Sequence, residues 1–212
     1  MTAIPRNRAQ SCIRLVLFLF VAPLIAGCAL PGVPRDSFAA YDFGPPPASS
    51  VGETARPLRQ PLLVYDVHAP AWMDVPSIHY RLAYEDAARP LAYANSRWVM
   101  PPSSLLGSRL RQRLASVSRG GILLPAEGVR APHSVRVELD EFAQIFDSAE
   151  RSRAVVRMRV TLTGNRNVVA QRSFNVEQPV LSANAQGGVR ALIAASDAAI
   201  AQITDWLTAS IK

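Results

Sequence analysis

Two stretches of the chain repeat apolar residues at helical spacing. In the first, four apolar residues recur at i, i+4, i+8 and i+11: Leu106, Leu110, Leu114 and Val117. That is the period of one face of an α-helix, which we expect to begin at Pro101–Pro102 and to end at Gly120–Gly121. The second stretch runs from about Gly188 to Ile211, has its apolar residues on one side, and is otherwise rich in alanine, the strongest helix former. The pattern predicts two long amphipathic helices.

The remainder of the chain alternates apolar and polar residues, or runs apolar over strand length, which predicts β-strands. The predicted strands are Ser37–Phe43, Pro61–Val67, Ile78–Tyr84, Leu91–Tyr93, Ile122–Leu124, Val135–Phe146, Ala154–Thr163 and Val168–Val176. Alternation in the third places His79 on the outward face. In the last, Arg172 interrupts the apolar face, which predicts a bulge or a sheet edge.

This order of elements predicts an α+β fold. Ile78–Tyr93 has the pattern of a hairpin, and the last three strands have the pattern of an antiparallel meander. We therefore expect a single domain in which two long amphipathic helices pack on a mostly antiparallel sheet.

The N-terminus has a different pattern. Arg6, Arg8 and Arg14 give it a charged start, and a mostly apolar run, Leu15–Ile25, follows. This is the layout of a secretory signal, and the run is about half the ~20 residues of a membrane-spanning helix. The residues Ile25-Ala26-Gly27-Cys28 resemble the lipobox of bacterial lipoproteins. An ordinary secreted protein or a short anchor helix is the alternative.

The resemblance to a lipobox implies a signal peptide over residues 1–27, a mature chain that begins at a lipid-modified Cys28, a tether over residues 28–37 and a domain over residues 38–212. Ala29 stands where an aspartate would retain such lipoproteins at the inner membrane. The resemblance thus implies anchorage at the periplasmic face of the outer membrane of a Gram-negative cell.

Charge and cysteine content narrow the classes of function. Without residues 1–27 the chain has 185 residues and a net charge of +4, from 20 basic and 16 acidic residues. This charge is dispersed, whereas a nucleic-acid-binding protein needs a clustered basic stripe. Cys12 leaves with the signal, so the mature chain has no thiol beside Cys28, and we expect it to fold without a disulfide.

Three stretches together resemble the ABC-type transport auxiliary lipoprotein family, which includes the paraquat-inducible protein C lipoproteins. They are Leu62–Val64 with Ile78–Arg81; Tyr93–Pro102; and Arg172–Phe174 with Pro179-Val180 and Asp205–Leu207. The resemblance covers about Phe38 to Lys212 and is most specific in the middle stretch. It implies a periplasmic lipoprotein that works with an ABC transporter and with mammalian-cell-entry (MCE) domain proteins to move lipids between membranes.

Catalytic and metal-binding patterns are missing from the sequence. The mature chain has three histidines, His68, His79 and His133, at no metal-ligand spacing. It has no G-x-S-x-G motif and no phosphate-binding glycine loop. We therefore predict a protein with no metal, no cofactor and no enzymatic activity.

The function we predict is an accessory lipoprotein of an ABC/MCE lipid-transport system that acts by docking, and shielding a lipid as it passes is the alternative mode of action. Two alternatives stay open: an outer-membrane assembly or structural lipoprotein of the lipopolysaccharide-assembly or Tol-like kind, and a hydrolase with an unrecognised site. The candidate partner-binding residues are Trp72, Met73, Arg97 and Trp98. We expect Trp72 and Met73, in the Pro-flanked loop before Ile78, to be exposed anchors, and covering the sheet edge is the alternative role for both. For Arg97 and Trp98, the competing interpretation is structural, with Trp98 in the core and Arg97 in a salt bridge. Homo-oligomerisation is left open.

Overall fold

The computed structural model describes residues 38–47 and 57–211, all within one compact unit, Phe38–Lys212. The predicted signal peptide, the tether and Cys28 lie outside the described residues. Their assignment stays a prediction.

The described residues of this unit form eight strands and three helices. The strands are β1 (Ala39–Tyr41), β2 (Leu62–Val64), β3 (Ser77–Leu82), β4 (Leu91–Trp98), β5 (Ile122–Leu123), β6 (His133–Phe146), β7 (Ser152–Gly164) and β8 (Asn167–Val180). The helices are α1 (Ala83–Asp86), α2 (Pro102–Val117) and α3 (Ala185–Ser210), and a short 3₁₀ turn covers Pro125–Glu127. The predicted order is confirmed, with the one-turn helix α1 added.

The sheet is mixed, so the expectation of a mostly antiparallel sheet is wrong. Among the described residues, four of the seven strand pairings are parallel: β1 with β4, β2 with β5, β2 with β6, and β3 with β6. Strand β6 is long enough for two partners on one side, with β2 at its start and β3 at its end. Local alternation identifies a strand and its faces, whereas the choice between distant partners is made by tertiary packing.

The predicted hairpin β3–β4 and the predicted meander β6–β7–β8 are both antiparallel. Val137 pairs with Val160, and Met158 pairs with Phe174, so the apolar positions stack on one face. In the described part of the chain β8 pairs with β7 alone, which agrees with the sheet edge predicted from Arg172. The pairing of β7 with β8 contains one register shift, which lies between Leu162 and Thr163 of β7.

The two long helices cover the apolar face of the sheet. Helix α3 packs on β7 and β8, and α2 packs beside α3. Alanines on the buried side of α3 (Ala191, Ala195, Ala199) allow close approach. Two buried hydroxyls on this helix, Ser196 and Thr204, donate to the carbonyls of Leu192 and Ile200 at 2.7 and 2.8 Å. Their hydrogen bonds remove the cost of burying a polar group.

The described surface opposite the helices, called here the back face, is largely polar. Arg159 pairs with Glu138 at 2.7 Å, and Arg153 pairs with Glu177 at 3.0 Å. Beside them lies a small buried apolar cluster of Ala143, Ile145 and Val155, against which Ala83 of α1 packs. The one-turn helix therefore covers an apolar spot on a charged face.

Candidate partner-binding surface

The loop of residues 69–76 presents a large aromatic ring between two anchors. The backbone N–H groups of Met73 and Asp74 both donate to the Pro70 carbonyl, at 2.8 and 3.0 Å, and form a tight turn. Met73 is fully buried in the main core. The Asp74 carboxylate accepts a hydrogen bond from the Ser103 hydroxyl in the first turn of α2. The loop is thus fixed on both sides of its exposed residue.

Trp72 lies on the back face, where two side chains of β3 support its ring. The His79 ring meets it edge to face at 5.4 Å between centroids, and the Arg81 guanidinium lies 5.4 Å from the centroid. Trp72 still exposes 42% of its surface. Edge-to-face and cation–π contacts hold an aromatic ring in one orientation, so the indole is presented to solvent already ordered.

His79 is buried, although alternation placed it outward. It does belong to the face opposite Ile78, but the loop that carries Trp72 covers it and leaves it 9% exposed. Its Nδ1 atom has no hydrogen-bond partner among the described residues. Desolvation, reinforced by the nearby Arg81 charge, lowers the pKa of His79 below its ordinary value. The neutral imidazole is therefore favoured beneath the tryptophan.

Arg81 connects the ring to its surroundings. Its Nε atom lies 3.5 Å from a carboxylate oxygen of Glu141 on β6, and its guanidinium donates to the carbonyls of Ala87 and Ala88 at 3.4 and 3.2 Å. A guanidinium held by several acceptors is a fixed platform. We call Trp72, His79, Arg81 and Glu141 the Trp72 surface.

Two other candidate partner-binding residues are in the core. Met73 is 0% exposed and Trp98 is 1% exposed, so the expectation that Met73 is an exposed anchor is wrong. The structural interpretation of Trp98 is confirmed, because its ring packs edge to face against Phe43 and Phe142 at 5.7 and 5.8 Å. Burial of these two large apolar side chains in the core stabilises the fold more than their exposure at the surface would.

Arg97 is exposed and lies over the Phe38 ring, 5.1 Å from its centroid. Its neighbours therefore differ from those of Trp72, and the sequence candidates do not assemble into one site. Partner binding by Trp72 or by Arg97 stays a prediction.

His79 and Arg81 were not among the sequence candidates for partner binding. The signal available in the sequence was their spacing, because residues two apart on a strand share a face. That the loop of residues 69–76 folds over this face depends on Met73 entering the core and on Asp74 reaching α2, and neither is visible in a local pattern.

Metal sites and membrane-spanning helices are other features that could indicate a function. The residues that the structure describes contain no group of three or more His, Cys, Asp or Glu side chains placed to hold a metal ion. Within the same residues, every helix is too short or too polar to cross a membrane.

Comparison with known proteins supports the family suggested by the sequence motifs. The profile of the ABC-type transport auxiliary lipoprotein component matches residues 41–205. A crystal structure of a protein from Xanthomonas campestris, 17% identical, covers 82% of this chain and 94% of its own, with a TM-score of 0.65. A crystal structure of an uncharacterized protein, 16% identical, covers 81% and 99%, with a TM-score of 0.61. These two likenesses show the fold. Among curated proteins, no sequence match is found.

Proposed function

The chain belongs to the ABC-type transport auxiliary lipoprotein family, and we propose that it is the lipid-anchored accessory component of an ABC/MCE lipid-transport system in the cell envelope. Its anchor is an acylated Cys28, and its place is the periplasmic face of the outer membrane. Its partners are the MCE-domain protein and the ABC transporter subunits. The sequence order of charged, apolar and small residues before Cys28 supports the anchor.

The protein acts in this proposal by docking and without catalysis. The observation that carries it is Trp72, which is 42% exposed and yet held by His79 and Arg81. Tryptophan and arginine are enriched at protein interfaces, where an ordered aromatic side chain loses little entropy on binding. Val75 in the same loop and Tyr84 on α1 are also exposed, at 36% and 47%.

Docking fits the described surfaces better than carriage of a whole lipid within the domain. The apolar stripe of α2 is buried at Leu106, Leu110 and Leu114, and that of α3 is buried at Leu192, Ile203 and Leu207. Shielding an acyl chain needs an apolar groove, and these helix faces are already covered by the sheet and by each other.

The deciding experiment is a pull-down of the MCE-domain partner by the wild type and by Trp72→Ala. We expect the variant to bind at least about tenfold more weakly, because truncation of an aromatic hot spot costs more than ~1.4 kcal/mol. Leu181→Ala is the matched control, since Leu181 is 98% exposed and lies outside the Trp72 surface. Thermal melting of both variants separates loss of binding from loss of fold.

A lipid extraction of the purified protein accompanies the pull-down. Stoichiometric phospholipid in the extract, together with no partner binding by the wild type, contradicts docking and supports lipid carriage. The gene neighbourhood gives an independent check, because the proposal expects a permease, an ATPase and an MCE-domain protein beside this gene. Their absence favours an outer-membrane assembly role instead.

A further inference from the structure

A second exposed patch lies where the described domain begins. It consists of Phe38, Arg97, Val99 and Met100, which we call the N-terminal edge. Its three apolar members are exposed: Phe38 by 49%, Val99 by 53% and Met100 by 43%. A grouping of exposed apolar residues on one edge marks a contact with another apolar phase or with a partner.

The patch follows the border of the sheet. Strand β1 pairs with β4 alone in the described part of the chain, with Ala40 opposite Arg97. Arg97 lies over the Phe38 ring at 5.1 Å, and the backbone N–H of Val99 donates to the Tyr41 carbonyl at 2.8 Å. Phe38 and Arg97 are therefore in contact beside the start of β1, and Val99 and Met100 follow β4 beside the end of β1.

Charged groups flank the apolar members. A shallow cavity of about 370 Å³ between the β1 segment and α3 is lined by Val99, Ile193, Arg190 and Asp42, among others. Asp42 is partly engaged, because its carboxylate accepts a hydrogen bond from the Gly44 backbone at 2.8 Å. The two positive charges of Arg97 and Arg190 outnumber the one negative charge of Asp42. The edge therefore favours an anionic surface.

The length of chain before Phe38 limits where this edge can be. Nine residues separate Cys28 from Phe38, and even a fully extended chain rises only about 3.3–3.6 Å per residue. The start of the domain can therefore lie at most about 35 Å from an acylated Cys28. The N-terminal edge is the part of the domain next to the point where the predicted tether is attached.

We propose that the N-terminal edge rests on the membrane surface. Phe38, Val99 and Met100 enter the interfacial layer, while Arg97 and Arg190 meet anionic lipid headgroups, the arrangement typical of peripheral membrane contacts. This inference rests on the lipid anchor of the proposed function. It adds a defined orientation, in which the domain lies against the bilayer and does not swing freely on its tether.

The test uses the full acylated chain, reconstituted in vesicles of phosphatidylcholine with phosphatidylglycerol. A single thiol is introduced by Val99→Cys and labelled with an environment-sensitive fluorophore, and Met100→Cys provides a second position. Val168→Cys is the matched control, because Val168 is 66% exposed and lies at the start of β8, another edge of the sheet. Lipids with a quenching group near the headgroup report contact with the bilayer.

We expect labels at positions 99 and 100 to be quenched several-fold more than the label at position 168. Adding Arg97→Gln, or omitting phosphatidylglycerol, should reduce that quenching. A chain that floats with the vesicles but keeps an unquenched label at position 99 overturns this inference alone. A blue shift at position 99 without lipid quenching overturns it in favour of a second protein copy on the edge. A chain that does not float with vesicles overturns both the tether and this inference.

Discussion

At the scale of single residues, Arg109 joins three parts of the fold. Its side chain is 6% exposed, and its Nε atom lies 3.3 Å from Asp197 on α3. Its Nη2 atom donates to the carbonyls of Phe43 and Gly44, which follow β1. Desolvation raises the pKa of Asp197, and the Arg109 charge opposes that rise. Arg109 therefore satisfies a carboxylate and two carbonyls that share one partly buried space.

We predict that Arg109→Ala lowers the free energy of unfolding by about 3 kcal/mol, because removing one member of a buried ion pair leaves the other uncompensated. Urea unfolding at pH 7 measures the loss. Arg111→Ala is the control on the same helix, since Arg111 pairs with Asp66, whose side chain is 90% exposed. Such surface pairs contribute at most about 1 kcal/mol. Equal losses for the two variants would show that Arg109 has no special role.

The lowered pKa of His79 predicts how the free energy of unfolding depends on pH. Burial beneath Trp72, with the charge of Arg81, lowers its pKa in the folded state from the ordinary 6.5. Above pH 6.5 the imidazole is neutral in both the folded and the unfolded state, and its contribution to stability is fully present. As the pH falls below 6.5, the unfolded chain binds the proton more readily, and stability is lost. The slope from this one group is at most about 1.4 kcal/mol per pH unit.

We expect His79→Phe to flatten the decline in stability between neutral pH and pH 5, because phenylalanine keeps a ring under Trp72 and does not titrate. Urea unfolding at a series of pH values measures the slope. The exposed His68 provides the control variant His68→Gln. An unchanged slope in His79→Phe would contradict the assignment of the titration to this histidine.

At the scale of elements, the start of α3 shows a close approach of two backbones. The helix begins at Ala185, with the Asn184 side chain accepting a hydrogen bond from the Gly187 N–H at 2.9 Å. A Cβ atom on Gly187 would lie 2.0 Å from the Ser182 carbonyl oxygen. The sequence pattern placed the start near Gly188 and contained no sign of this contact, because the turn that brings Ser182 back is not periodic.

We predict that Gly187→Ala destabilises the domain by about 2 kcal/mol, since overpacking against backbone costs ~1–3 kcal/mol and exceeds the ~1 kcal/mol gain in helix propensity. Thermal melting measures the change. Gln186→Ala, on the exposed neighbouring position, is the control and should stay within about 0.5 kcal/mol of the wild type. Stabilisation by Gly187→Ala would show that the Ser182 turn yields without cost.

At the scale of the whole molecule, our proposal makes a lipid anchor at Cys28 responsible for the location of the domain. We predict that Cys28→Ala releases the protein from the membrane fraction, because each buried acyl CH₂ contributes about 0.8 kcal/mol to anchoring and the variant has no acyl chains. Cell fractionation with immunoblotting measures the distribution. Leu181→Ala, outside the predicted signal and tether, should stay membrane-bound. Unchanged membrane partition of Cys28→Ala would argue decisively against the tether.

Local patterns in the sequence determined the elements and the faces of most of them. Burial agrees with the prediction at Leu106, Leu110 and Leu114 of the α2 stripe, along most of the apolar side of α3 and at the alternating apolar positions of β6 and β7, whereas Val117 is half-buried. They follow from the periods of 3.6 and 2 that any packed helix or strand must obey. Motifs determined the family, because the middle stretch Tyr93–Pro102 combines a strand, a buried Trp98 and a proline-started helix.

Tertiary structure alone decided what these elements contact. The parallel partners of β6 and the cover over His79 arise between residues far apart in the chain. Tertiary structure also decides the environments of two adjacent residues in one loop, because Met73 enters the core and Trp72 stays outside. Both are large and apolar, so composition does not separate them. Their different positions are set by the turn at Pro70 and by the hydrogen bond of Asp74 to α2, because a fixed backbone allows only one of two adjacent side chains to point inward.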